Sequence, residues 1–358
     1  MKSKIYTLVL LACLIQLVSC KKDARPVVNT PKQQSLEQGL INFSINGQLI
    51  PATIDTTQNK ITVVVPRTAN FQSLTVNFTL ASQVNATINN TSASSGATID
   101  FTKPVVLKVA SSDQKRSTSF QVNAETDLQY FGITGAIISE NSLSRDYNFY
   151  FDQFDGSAYE AINCGPASTT MAIKWADSNF SKKPVDARNA IMPQGGWWTT
   201  SNIIAYLQQD GLSYTTDTLG DVPSVIKTRI DNNNAVILCL DMFSVSFNQL
   251  DYEHTDKFYA TNAPGWGHFI MIKGYIQTDS NFYLEAYDPY SGGLTYSVIT
   301  NGQLKGINRY YESNDIFRAT QIWWPYYIAL AARGKEVLNS GKLSINSTSK
   351  PIPVAFGK

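Results

Sequence analysis

The hydrophobic pattern of the chain changes near Asp127, and this change limits the possible folds more than any other feature of the sequence. From about Leu40 to Glu125, apolar and polar residues alternate in short runs such as Leu74–Leu80, as expected for half-buried strands. Turn-forming pairs such as Asn46-Gly47 separate these runs. Beyond this region, aromatic residues become frequent and helical spacing appears. We therefore predict an all-β domain, an α+β domain and a C-terminal tail, at 39–126, 127–340 and 341–358.

Composition excludes several classes of protein. The chain has 358 residues, of which 43% are hydrophobic and 16% charged, so it can bury the cores of two domains. Its formal net charge is +1 and it has no basic tract, which argues against nucleic acid as a partner. Four cysteines are too few for a disulfide scaffold, and two histidines leave little room for a metal site. We expect no metal and no cofactor.

The N-terminus has the pattern of an export signal. Lys2 and Lys4 precede an apolar stretch that is too short to span a membrane and that ends in Leu17-Val18-Ser19-Cys20. This ending resembles the lipobox of bacterial lipoproteins, which implies a signal peptide over 1–19 and lipidation of Cys20. The alternative is an ordinary signal peptide with an incidental cysteine. A polar linker follows at 20–38, so we expect a protein that is lipid-anchored in the bacterial cell envelope, at the outer membrane, on its periplasmic face or at the cell surface.

The alternating region offers no obvious chemistry. It contains neither cysteine nor histidine, and its short strands predict an antiparallel β-sandwich. Its pattern and position resemble the immunoglobulin-like modules that follow the lipid anchor in bacterial surface lipoproteins. We interpret it as a spacer that holds the next domain away from the membrane, with specific ligand binding as the alternative.

Cys164 is the strongest candidate for a reactive residue. Pro166 suits the first turn of a helix, and the apolar residues Ala167, Met171 and Trp175 recur every fourth position, as on the buried face of an amphipathic helix. Cys164 is therefore expected at a helix N-terminus, where the helix dipole and the unpaired N–H groups lower a thiol pKa. That environment favours the nucleophilic thiolate.

A thiolate nucleophile also needs a base and a group that orients the base. His268 opens the apolar run Gly267–Tyr275, and Asp288 ends a second run that begins at Phe282. Two neighbouring antiparallel strands would bring this histidine and this aspartate side by side. Further elements predicted between Cys164 and His268 are two helices and a buried strand, at Thr199–Gly211, Val222–Ile230 and Asn234–Leu240.

The order Cys164, His268, Asp288 resembles the papain-like cysteine peptidases, and most closely the bacteriocin-processing (double-glycine leader) peptidase-like family. Three motifs carry the resemblance over roughly 145–330: a cysteine-glycine-proline helix start, a histidine that opens an apolar strand ending in glycine, and an aspartate-proline. The resemblance implies an α+β papain-like fold, with a nucleophilic cysteine, a basic histidine and an aspartate that orients it. It also implies a glutamine that helps to bind the oxyanion. Gln153 is the best candidate for that glutamine, although it lies further upstream than usual, and Asn163 is the alternative.

Other candidate residues have mixed interpretations. Cys239 is predicted to be an inert core residue, although a disulfide between Cys164 and Cys239 is an alternative that would abolish the chemistry. His254, surrounded by polar residues, is predicted to be a solvated loop residue. Four residues are candidates for the wall of a substrate cleft: Trp266, Trp197, Trp198 and Asn163.

These patterns together predict an exported, lipid-anchored cysteine peptidase that acts on peptide or protein substrates through a thioester intermediate. Two alternatives stay open. One is an amidase or transglutaminase-like acyltransferase that uses the same three residues, and the other is a surface binding protein whose peptidase fold has lost activity.

Overall fold

The computed structural model describes residues 39–300, 302–322 and 324–337. The predicted signal peptide, Cys20, most of the linker and the C-terminal tail lie outside the described residues. Within the described ranges, the helices are too short or too polar for any of them to cross a membrane.

The first part of the chain consists of two β-sheets. A three-stranded sheet has the order β1-β4-β7, and a six-stranded sheet has the order β2-β3-β9-β8-β5-β6. Their inner faces share one apolar core. The strands are β1 (Leu40–Ile45), β2 (Thr53–Asp55), β3 (Lys60–Val65), β4 (Leu74–Leu80), β5 (Val84–Ile88), β6 (Thr91–Ser92), β7 (Ala97–Ile99), β8 (Val105–Ser111) and β9 (Ser117–Thr126).

One strand pair departs from the predicted antiparallel arrangement. β3 and β9 run parallel, with Lys60 opposite Gln121 and Val65 opposite Thr126. These strands are far apart in the sequence, so no hairpin turn determines their relative direction. The period-two pattern predicts that both are strands, but it contains no information on which neighbour each one takes.

The second part is a mixed α+β region around one sheet. The sheet has the order β11-β16-β12-β13-β14-β15, and β10 pairs with the far end of β13. All of these pairings are antiparallel. The elements are α1 (Asp127–Tyr130), β10 (Ile137–Ser142), α2 (Cys164–Ala176), α3 (Pro184–Ile191), α4 (Thr200–Gln209), β11 (Tyr214–Thr218), α5 (Val222–Asp231), β12 (Asn234–Asp241), β13 (Gly267–Thr278), β14 (Phe282–Tyr287), β15 (Arg309–Glu312), α6 (Ser313–Gln321) and β16 (Tyr326–Ala331).

Helix α2 is the central helix of this region. It packs against β12 and β13 on one side and against α3 and α4 on the other. Every residue of α2 except Lys174 is buried. The sequence predicted an amphipathic helix with a single buried face, and this is wrong, because neighbouring elements cover the helix nearly all round. Small and hydroxyl-bearing residues such as Ser168 and Thr169 satisfy their hydroxyl groups on backbone carbonyls, which permits their burial.

The prediction that His254 is solvated is also wrong. The His254 ring is 2% exposed and lies between the rings of Phe131 and Tyr296, with centroid separations of 3.8 and 3.6 Å. Burial, helped by the nearby positive charge of Arg309, lowers the pKa of His254 to about 3. The prediction relied on the polar neighbours of His254 in the sequence. It failed because the residues that bury His254 come from distant parts of the chain.

This burial predicts a pH-dependent stability. The unfolded chain binds a proton at His254 near pH 6.5 and the folded chain does not, so the free energy of unfolding should fall as the pH drops from about 6.5 towards 3. The expected slope is about 1.4 kcal/mol per pH unit from this one group. His254→Phe keeps an aromatic ring between Phe131 and Tyr296 and should lose that part of the slope. Denaturant unfolding of both proteins at pH 6.5, 5.5 and 4.5 tests this, and equal slopes would contradict it.

Candidate active site

The position of Cys164 follows from the local sequence. Cys164 is the first residue of α2, and Pro166 occupies the first turn, where its missing N–H costs no helical hydrogen bond. Gly165 is required because a Cβ atom there would lie only 2.7 Å from the Cβ atom of Trp198. The loop that carries Trp198 can therefore close directly over the helix start. Cys164 is 5% exposed.

His268 and Asp288 are brought together by neighbouring strands. His268 is the second residue of β13, and Asp288 directly follows β14, which pairs antiparallel with β13. The Nε2 atom of His268 lies 2.7 Å from Oδ1 of Asp288, and the two side chains are 2% and 0% exposed. The pairing of a histidine strand with an aspartate strand thus agrees with the arrangement expected from the sequence.

Cys164 and His268 face each other across the junction of α2 with the sheet. The His268 ring lies close enough to the Cys164 thiol for each group to shift the pKa of the other. Because Nε2 of His268 bonds Asp288, Nδ1 is the ring nitrogen that remains to interact with the thiol. Burial alone would raise the pKa of Cys164, but the hydrogen bond and charge of His268 outweigh it and lower that pKa. Burial likewise opposes protonation of His268, but the carboxylate of Asp288 outweighs it and raises the pKa of His268 to about 10. These shifts favour a thiolate–imidazolium pair.

Asp288 is held as an anion by more than the histidine. Its Oδ2 atom accepts hydrogen bonds from the hydroxyl groups of Tyr259, at 3.1 Å, and Tyr311, at 2.5 Å, and its Oδ1 atom accepts one from the N–H of Tyr290, at 2.9 Å. Burial would raise the pKa of Asp288, but the charge and hydrogen bond of His268, with the bond from Tyr311, outweigh it and lower that pKa. The sequence interpretation missed Tyr259 and Tyr311, since no spacing rule separates them from the other tyrosines.

Gln153 lies beside the Asp288 turn, but both hydrogens of its side-chain amide are already bonded. Its Nε2 atom donates to the carbonyl oxygens of Glu160, at 3.1 Å, and Ala161, at 3.3 Å, so both of its hydrogens are used. The backbone N–H of Gln153 donates to the carbonyl of Pro289, at 2.8 Å, which ties this loop to the Asp288 turn. The role of Gln153 as an oxyanion donor stays a prediction, and it requires Nε2 to leave these carbonyls.

The four residues suggested for a cleft separate into two pairs. Asn163 and Trp198 are 0% and 3% exposed, so the structure does not support either of them as a cleft wall. Asn163 accepts a hydrogen bond from Arg188 and donates one to Ser157, which explains its burial. Trp197 and Trp266 are half-buried.

Trp266 belongs to a group of aromatic rings beside His268. The rings of Tyr259 and Tyr290 each lie 5.4 Å from the ring of Trp266, measured between centroids. The ring of Tyr290 lies 6.2 Å from that of His268. Trp266 thus has a partly accessible ring next to the histidine, and its contact with substrate stays a prediction.

Cys239 lies in the core, as expected from its apolar surroundings. It is buried in β12, and burial raises its pKa well above that of an ordinary thiol. Cys164 and Cys239 are both free thiols, so the alternative disulfide is not formed.

In the part of the chain that the structure describes, no three histidine, cysteine, aspartate or glutamate side chains come together as a metal site would require. The lowered pKa of Cys164 and the raised pKa of His268 would allow nucleophilic attack by a thiolate next to a protonated histidine.

Comparison with known proteins gives one sequence-family match and several distant structural similarities. The family described as "SGBP, N-terminal" matches residues 40–124. No curated protein matches the chain.

Three solved structures are similar to parts of the chain, each at 12% sequence identity. A protein of Bacillus anthracis, provisionally named a C39-like peptidase, covers 55% of this chain and 100% of its own, with a TM-score of 0.36. A protein of Bacteroides thetaiotaomicron, provisionally named a glycoside hydrolase, covers 86% of this chain and 98% of its own, with a TM-score of 0.24. A protein of Bacteroides fragilis, provisionally named a secreted protein, covers 26% of this chain and 98% of its own, with a TM-score of 0.21.

Proposed function

We propose that this protein is an exported cysteine peptidase that hydrolyses peptide bonds with Cys164, His268 and Asp288. The observation that carries the proposal is a buried imidazole that bonds a buried carboxylate at 2.7 Å and lies close enough to the Cys164 thiol to lower its pKa. A structural role would not require this arrangement of side chains, because a buried ion pair seldom stabilises a fold more than apolar residues of the same size.

The chemistry proceeds in two halves. The Cys164 thiolate attacks the peptide carbonyl carbon, forming a C–S bond and placing the electron pair of the carbonyl on its oxygen. When the oxyanion collapses, the C–N bond breaks and the His268 imidazolium gives its proton to the leaving amine. A water molecule then attacks the thioester carbonyl carbon while neutral His268 accepts its proton, forming a second oxyanion. When this oxyanion collapses, the C–S bond breaks, its electron pair returns to Cys164 as the thiolate, and the carboxylic acid product leaves. Asp288 holds the ring through Nε2 during both halves, so that Nδ1 stays directed at the sulfur.

The oxyanion needs hydrogen-bond donors next to Cys164. The backbone N–H of Cys164 is one candidate, since the first N–H groups of a helix have no partner within the helix. Gln153 is the second candidate, and its Nε2 atom lies at the carbonyl groups of the turn that leads into α2. Binding of substrate would have to exchange those two hydrogen bonds for one to the oxyanion.

The β-rich part and the N-terminus complete the proposal. Cys20 would carry the lipid anchor, and the two sheets over 40–126 would hold the peptidase part away from the membrane. The match to "SGBP, N-terminal" supports a location at the cell surface for this first part. The membrane is then a partner only through the lipid chains.

The test is product analysis with a peptide mixture. Purified full-length protein under reducing conditions should generate new peptide N-termini, and the activity should be lost after treatment with iodoacetamide. Addition of a primary amine distinguishes hydrolysis from acyl transfer, because an amidase or transglutaminase-like acyltransferase would yield the amine adduct. No cleavage and no adduct with any peptide would contradict the proposal.

A catalytically inactive surface binding protein is the second candidate. Two observations favour it. Both amide hydrogens of Gln153 are already bonded. Residues 40–124 match the family "SGBP, N-terminal", a domain of surface glycan-binding proteins. Binding of polysaccharide to the full-length protein without turnover of peptides would support this candidate over the first.

A further inference from the structure

Arg188 is a buried arginine next to the nucleophile without a carboxylate partner. It lies on α3 and is 1% exposed. Among the described residues, no aspartate or glutamate lies within ion-pair distance of its guanidinium. Burying a cation without an anion is costly, so a position like this one calls for a functional explanation.

The guanidinium group donates three hydrogen bonds, two of them to the residues directly before Cys164. Its Nη2 atom bonds the carbonyl oxygen of Ile162, at 2.9 Å, and its Nε atom bonds Oδ1 of Asn163, at 2.9 Å. Asn163 is the N-cap of α2, and its side chain makes no capping bond to the helix because Arg188 and Ser157 engage it. Arg188 therefore holds the chain that leads into the nucleophile.

The third hydrogen bond reaches the loop on the other side of the helix start. The Nη1 atom of Arg188 bonds the carbonyl oxygen of Gly196, at 2.6 Å. Gly196 has a φ of 109°, which directs that carbonyl in a way that residues with side chains rarely allow. Two residues later, Trp198 packs against Gly165, and its ring also lies 5.9 Å from the guanidinium carbon. One side chain thus connects the segments on both sides of Cys164.

The positive charge of Arg188 also lies next to the nucleophile, because the guanidinium bonds the two residues that directly precede Cys164. Burial lowers the pKa of Arg188, and a negative charge on Cys164 opposes that change. By reciprocity, the guanidinium stabilises the Cys164 thiolate. Arginine suits this position because it stays charged when buried and presents several donors in a rigid plane.

We propose that Arg188 is a positioning residue that fixes the start of α2 and favours the thiolate form of Cys164. The inference depends on the proposed thiol chemistry, and it adds a second cation, besides the His268 imidazolium, that acts on the same sulfur.

The test compares Arg188→Met, Arg188→Lys and Arg229→Met in the full-length protein. Arg229 is a buried arginine on α5 that bonds the hydroxyl of Tyr327, so its replacement by methionine controls for the loss of a buried guanidinium elsewhere. The readouts are the rate of iodoacetamide alkylation at Cys164 as a function of pH, followed by mass spectrometry of the Cys164 peptide, and kcat and KM for a cleaved peptide.

We expect Arg188→Met to raise the apparent pKa of Cys164, which moves the midpoint of the alkylation profile to higher pH by about one unit. We expect kcat to fall with KM little changed. Arg188→Lys keeps the charge but not the three-way connection, so kcat should fall while the alkylation profile stays close to that of the wild type. Arg229→Met should leave the profile unchanged.

Two outcomes overturn the inference. One is a wild-type alkylation profile in folded Arg188→Met, and the other is an equal shift in Arg229→Met. If Arg188→Met is recovered unfolded, Arg188→Lys decides, and wild-type kcat in that variant contradicts the positioning role. A wild-type protein whose Cys164 titrates as an ordinary thiol would instead contradict the proposed function itself, so the two failures are distinguishable.

Discussion

Replacement of Cys164 by alanine should abolish peptide hydrolysis. The thioester cannot form without the sulfur, and loss of a nucleophile from a catalytic triad lowers kcat by roughly 10⁵- to 10⁶-fold. The fold should survive, because alanine removes one small atom from a site that is already mostly filled by α2, β13 and the Trp198 loop. The measurement is kcat for a cleaved peptide, together with the far-ultraviolet circular dichroism of the variant.

Cys239→Ala is the matched control. Cys239 is equally buried, and its pKa is raised by burial, so it takes no part in the proposed reaction. The control should keep activity within a few-fold of the wild type. The two variants are directly comparable, since both lose a thiol from the same core. Activity retained in Cys164→Ala, or lost only in Cys239→Ala, would contradict the assignment of the nucleophile.

Replacement of Asp288 by asparagine should give the second-largest loss. Asparagine can still accept the bond from His268, but it removes the buried negative charge that keeps the pKa of His268 high. Burial then dominates, the imidazolium deprotonates at neutral pH, and the Cys164 thiolate loses its partner. We expect kcat/KM at pH 7 to fall by at least about 10²-fold, towards the roughly 10⁴-fold loss found when a triad aspartate is made neutral.

Tyr311→Phe provides the control for this prediction. It removes one hydroxyl that bonds the same carboxylate and leaves the charge in place. Its effect on kcat/KM should therefore be much smaller than that of Asp288→Asn. Equal losses in the two variants would mean that packing around Asp288, and not its charge, supports the reaction.

Local patterns in the sequence predicted the elements that carry the reactive groups. The Gly-Pro pair after Cys164 predicts a helix start, and apolar runs that begin at His268 and end before Asp288 predict two strands. These features depend on short-range preferences, such as proline in a first helical turn and alternation along a strand. The structure has α2, β13 and β14 at those places, with β13 and β14 paired.

What the sequence did not predict depends on contacts between distant segments. Arg188 and Tyr311 reach the site from α3 and β15, and neither has a distinctive sequence neighbourhood. Asn163 is next to the nucleophile in sequence, yet its side chain turns to Arg188 and not to a cleft. His254 has polar neighbours but is enclosed by rings from other segments. Such errors are expected wherever tertiary packing decides the environment of a polar side chain.

The most direct test of the thiolate–imidazolium pair is the pH dependence of Cys164 alkylation in the wild-type protein. An ordinary thiol with a pKa near 8.5 is under about 1% ionised at pH 6 and reacts slowly there. The lowered pKa of Cys164 predicts an alkylation profile whose midpoint lies below that of an ordinary thiol, with a further change in rate near pH 10, where His268 loses its proton. A rate that rises tenfold per pH unit from 6 to 8, with a midpoint near 8.5, would contradict the account.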